Sequence, residues 1–188
     1  MPSDSAERRR RTMTLEAFAD TIIPGEKRTP DDRAVAGAST GQGAVAAGAI
    51  ELLETPAAGL VDLLDGLTTV LNGHATARAA DLETTLDPEV PPFVALSFDD
   101  RTELVGELLA PGHPEKEAWV GLALFSNMAF DTAAHMHTAD ALAAGHPGLA
   151  ATGFAPPDAD GLWRFPAYSY RRKFAELHPD TTASGSPA

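Results

Sequence analysis

The sequence predicts an all-α protein: an irregular bundle of about four to six helices with long loops and an aromatic-rich C-terminal arm. Three observations predict it. Apolar residues recur at helical spacing in several segments, while strand-like alternation is nowhere sustained. Of 188 residues 35 are alanine, which loses no side-chain entropy in a helix. Proline, glycine and serine stand where helices start and stop. The length fits one domain of roughly 100–200 residues, divided into a disordered basic leader (1–13), a single helical domain with its C-terminal arm (14–177) and a disordered tail (178–188).

Leu15, Phe18, Ala19 and Ile22 form the i, i+3, i+4, i+7 stripe of a first helix, which Pro24-Gly25 stops. Residues 24–43, rich in Pro, Gly, Asp and Ser/Thr, read as a long loop, and a weakly patterned helix follows from Ala44 to Glu54. Thr55-Pro56 reads as an N-cap with proline in the first turn, opening a helix to about Ala80. Its core-facing residues are Leu60, Leu63, Leu64, Leu67, Val70 and Leu71. Pro88, Pro91 and Pro92 make the next stretch extended or looped. Ser97 then caps a helix with Asp99 and Asp100 in its first turn, Leu104, Val105, Leu108 and Leu109 as its buried stripe, and Pro111-Gly112 as its end. Pro114 opens a helix through Trp119, Leu122, Phe125, Met128 and Ala129 that extends toward Ala144, before Gly145. Residues 145–167 carry loop punctuation, and a short helix is expected from Tyr168 to Leu177.

Charge and composition exclude whole classes of function. With 27 acids against 14 bases the net charge is −13, which repels phosphate backbones and anionic lipid and argues against nucleic-acid binding. Zero cysteines remove disulfides, iron–sulfur clusters, thiolate zinc and cysteine nucleophiles. No stretch approaches the roughly 18 apolar residues of a membrane span, so membrane insertion is not expected. Arg8 to Arg11 lead into a segment broken by Glu16 and Asp20, not into the apolar stretch of an export signal, so the expected location is cytoplasmic.

Asp131, His135 and His137 are the one cluster of metal-ligand residue types. On a helix Asp131 and His135 share a face, whereas His137 points away from His135, so two of the three converge and all three do not. No G-x-S-x-G or phosphate-cradling loop is present, and the glycine-rich run 37–43 lacks a preceding strand and a lysine. No catalytic or cofactor-binding residues are therefore assigned. A stand-alone helical enzyme using the His/Asp cluster, with or without a metal, is the alternative to a binding subunit.

Six of the 12 aromatic residues lie between Phe154 and Phe174, interleaved with arginines. Aromatics and arginine are what a buried interface centre enriches. Phe154, Trp163, Arg164, Phe165, Tyr168 and Tyr170 are accordingly the expected partner-binding residues, with membership of the chain's own core as the competing reading.

Two segments carry a family resemblance. Leu15-Glu16-Ala17-Phe18-Ala19-Asp20-Thr21-Ile22-Ile23-Pro24 resembles the opening signature of the gluconate 2-dehydrogenase subunit 3 family, and Phe93-Val94-Ala95-Leu96-Ser97-Phe98-Asp99-Asp100-Arg101, followed by Leu104 and Leu108, is similar to its middle motif. The resemblance implies a mostly helical, non-catalytic subunit that binds a large glucose–methanol–choline type flavoprotein and supports its folding, solubility or export. It implies that FAD and the chemistry belong to that partner. The family commonly carries a twin-arginine signal on this subunit; arginines without the apolar segment imply a cytoplasmic version.

Overall fold

The first helix, α1 (Pro2–Ile22), is the axis of the fold: it packs against α2 (Ala49–Leu53), α3 (Leu64–Asp81), α4 (Pro92–Ala95), α5 (Phe98–Leu108) and α6 (Lys116–Thr132). Two short helices follow, α7 (Thr138–Ala143) and α8 (Pro147–Ala151), in a computed structural model that describes residues 2–154. Eight α-helices and two short 3-10 turns make up the regular structure and no strand occurs among the described residues, so the predicted all-α class holds, with α1, α3, α5 and α6 as the long members.

Because five elements surround it, α1 buries far more than the predicted stripe. Thr14, Leu15, Ala17, Phe18, Ala19 and Asp20 are all buried, as expected of a helix enclosed on most sides. Phe18 stands between Phe93 of α4 and Trp119 of α6, with ring centroids 6.4 Å and 6.2 Å away. Leu53, Leu64, Leu71, Leu104, Leu108 and Leu122 complete this core.

The structure corrects four boundaries. Residues expected as a disordered leader form the first turns of α1, where Arg10 and Arg11 find acceptors on neighbouring segments. Arg10 Nη2 donates to Val90 O at 3.2 Å, and Arg11 pairs with Glu54 at 2.6 Å and Asp65 at 3.2 Å. The helix expected from Ala44 to Glu54 is reduced to α2, since Gly48 holds φ +86° immediately before it. The helix expected from Thr55 to Ala80 begins only at Leu64. Thr55 donates its hydroxyl to Glu51 O at 2.7 Å instead of capping, and Gly59, at φ +69°, separates 3-10 turns at Pro56–Ala58 and Val61–Leu63.

That break rotates the expected leucine stripe. Leu64, Thr68, Leu71, Ala75 and Ala79 face the core, while Leu63 and Val70 are 56% and 41% exposed. Finally, α6 ends at Thr132, where Ala133 turns left-handed with φ 50°, so residues 133–137 connect two helices.

α5 follows the sequence reading closely. Ser97 Oγ accepts the Asp100 amide at 3.1 Å and the Asp100 carboxylate receives the Ser97 hydroxyl, a reciprocal cap. Leu104, Val105 and Leu108 face the core as predicted.

Candidate functional site

The long loop between α1 and α2 is built on carboxylates. Asp20, 1% exposed near the end of α1, accepts the Gly25 amide on one oxygen at 3.0 Å and the Ala36 amide on the other at 2.8 Å. Asp32 accepts the amides of Ala34 and Val35, both at 3.1 Å, and Arg28 Nε at 2.6 Å. Arg28 also pairs with Glu16, tying the loop to the flank of α1. Where the loop closes, Glu26 N–H donates to Gly41 O at 2.8 Å and Ala44 N–H to Ile23 O at 3.0 Å. Gly25 and Gly43 meet backbone to backbone at that neck, and a Cβ on either would overlap the other strand of the loop.

From the opposite side Arg101 of α5, 4% exposed, donates to Ala34 O at 2.8 Å and to Val94 O, with its guanidinium carbon 6.0 Å from the Phe93 ring centre. Burial pushes the Asp20 carboxyl above its ordinary range, against the pull of the Ala36 and Gly25 amides and the Arg101 charge. Burial likewise pulls Arg101 down, and Asp20 opposes it. The two segments that carry the family resemblance thus meet here, Phe18 on Phe93 and Asp20 within the field of Arg101. Both Asp20 oxygens and both Arg101 Nη groups are directed at backbone, an arrangement that orders the loop.

Clefts open on either side of the arginine run. One, of about 520 Å³, is lined by Arg8, Arg10 and Arg11 with Glu7, Asp65 and Asn72; the other, of about 500 Å³, by Arg9, Arg28 and Arg33 with Glu16, Asp31 and Asp32. Both mix arginine with carboxylate.

The predicted His/Asp cluster is dispersed because the helix that was to carry it stops at Thr132. Asp131 is exposed at the end of α6, and His137 turns to α7, where its Nδ1 accepts the Ala139 amide at 3.3 Å. His135 goes the other way and lies against Gly48, its ring 5.8 Å from that of His146. Among the described residues no three His, Asp or Glu side chains are placed to hold a metal ion.

Two histidines outside that cluster are better engaged. His146 is buried, its Nε2 2.9 Å from Ala47 O and its Nδ1 accepting the Leu149 amide at 3.4 Å. His146 followed by Pro147 is a helix-start signal within the loop-like punctuation of residues 145–167, and α8 begins there. His74 of α3 bonds Glu115 at 2.8 Å, and Trp119 Nε1 donates to the same oxygen at 3.1 Å. These bonds, His74 first, hold the Glu115 carboxyl below its usual range although burial opposes them. The contact joins residues 41 apart, so no local pattern announced it.

Of the expected partner-binding residues, Phe154 ends the described region and is 40% exposed. Trp163, Arg164, Phe165, Tyr168 and Tyr170 lie outside the described residues. No described helix is long and apolar enough to cross a membrane. No curated protein and no solved structure matches the chain. A family of unknown function, DUF5987, matches from residue 9 to residue 188, nearly the whole length, and the chain belongs to that family.

Proposed function

We propose that the chain is a non-catalytic small subunit that binds a large FAD-dependent oxidoreductase, of the sugar, glycoside or alcohol dehydrogenase or oxidase class, and stabilises it or helps it mature. The observation that carries this reading is the packing of the two resemblance segments, 15–24 and 93–101, into one unit through Phe18, Phe93, Asp20 and Arg101. Motifs separated in sequence but joined in the core describe a shared architecture better than isolated matches do. A cytoplasmic complex is part of the proposal, supported by the use of Arg10 and Arg11 as structural contacts of α1.

The test is purification of the tagged chain from its native cells. Stoichiometric co-elution of a larger protein with bound FAD and dehydrogenase or oxidase activity is the expected result; elution of the chain alone, from cells in which such an activity survives its deletion, would overturn the proposal. Within the complex, Trp163→Ala or Phe165→Ala is expected to weaken association by about 2 kcal/mol or more while the small chain keeps its helicity, as a buried aromatic anchor would. Loss of helicity ahead of affinity would assign those residues to the chain's own core.

A further inference from the structure

The α7–α8 corner is attached by few apolar groups. Its buried cluster is Ala133, Ala141 and Leu149, with Leu142 partly covered, and it stands apart from the main core. α8 sits directly on the end of α6, where a Cβ at Gly148 would overlap Phe130 O. What reaches further is His146, whose Nε2 contacts Ala47 O across 99 residues of sequence.

We propose that His146, with His135 beside it, is an acid-released cap of α8, the helix that seats the α7–α8 corner on the end of α6. One protonation state satisfies both contacts of His146: the neutral ring with Nε2–H donating to Ala47 O and Nδ1 accepting from Leu149 N–H. A proton added at Nδ1 sets donor against donor, so the Leu149 amide loses its partner in a buried position. His135, 5.8 Å away, opposes a second charge in the same space, and its own Nδ1 is buried without a hydrogen-bond partner. Burial and the neighbouring His146 pull the His135 imidazole below its ordinary value, while Glu51 of α2 pulls the other way.

The remaining charged groups on the packed elements do not replace the lost contact. Asp131 of α6 and His137 and Asp140 at the start of α7 are exposed, and among the described residues none hydrogen-bonds either ring. α8 and the turn at 44–48 hold no ionisable side chain. Protonation therefore strips α8 of its N-terminal cap, while Nε2–H keeps its bond to Ala47 O. The inference does not depend on the subunit reading.

Amide hydrogen exchange on the full chain tests it. Between about pH 7.5 and about pH 5.5, where histidine changes charge, protection of residues 149–152 is expected to fall at least tenfold after correction for intrinsic exchange, with α1, α3 and α5 unchanged. His146→Asn, which keeps a capping oxygen and does not titrate, is expected to abolish the pH response. Should that variant fail to fold, an NMR titration of the wild-type ring decides: His146 must take up its proton over the range in which Leu149 loses protection. Acid-insensitive protection, a loss shared equally by α1, α3 and α5, or protonation of His146 with Leu149 still protected would each overturn the acid-released cap.

Discussion

Arg101 couples α5 to the long loop and to α4, since its donors reach Ala34 O and Val94 O. Replacing it with methionine leaves those carbonyls without their donor and removes the charge that balances buried Asp20. We expect Arg101→Met to lower the unfolding free energy by about 3 kcal/mol or more, read from the urea midpoint at unchanged slope. Asp32 sets a pH dependence of definite sign. Burial alone would raise its carboxyl, but Arg28 and the amides of Val35 and Ala34 outweigh that and hold it below the ordinary 3.8. Its stabilising contribution is thus complete above that value and lost as pH falls through the depressed one. Asp20 runs the opposite way: with its carboxyl raised, ionisation costs stability as pH rises above 3.8, and acid relieves that cost. Asp32→Asn should therefore flatten the acid limb of the stability curve, and Asp20→Asn should steepen it, in denaturation measured across pH. Asp32 had a local signature, because an aspartate bonding amides two and three residues ahead is a common turn. Asp20 and Arg101 had none, because beyond Gly25 and Val94 the partners that fix them lie 16 and 67 residues away.

Among the elements, α5 was legible from its cap to its end because every determinant is local: Ser97, the acids of the first turn, the leucine stripe and Pro111-Gly112. Ser97→Ala should cost about 1 kcal/mol, measured by thermal or urea unfolding. The α2–α3 region was misread where local and tertiary signals conflict. Thr55-Pro56 is a sound start signal, yet Gly59 interrupts the helix three residues on, and the resulting rotation turns Leu63 and Val70 outward. Nor did apolar periodicity mark where α6 ends, since Ala133, Ala134 and Ala139 continue a helix-favouring composition through the turn. Gly48 is decided by both backbone and contact. Its φ of +86° disfavours any side chain, and a Cβ would overlap the His135 ring, so Gly48→Ala should destabilise by about 2 kcal/mol, with protection lost first around α2 and residues 133–137.

At the scale of the whole molecule, the all-α class was readable and the central place of α1 was not. A stripe of four residues identifies a surface helix, whereas enclosure by five elements depends on contacts that sequence spacing does not encode. That position predicts where truncation becomes destructive. Removing residues 2–8, exposed from Ser5 onward, should leave far-ultraviolet circular dichroism and the melting temperature close to wild type, and extending the deletion through Leu15 should unfold the chain. The loop between α1 and α2 has a different tolerance, because its neck is closed by the backbone of Gly25 and Gly43 and its middle emerges at exposed Gly37 and Ala38. A peptide inserted between those two residues leaves the neck untouched, and each doubling of loop length costs only about 0.6 kcal/mol. The loop can therefore carry a fluorescent reporter on the folded helical body, letting association with a partner be followed without altering any residue from Phe154 onward.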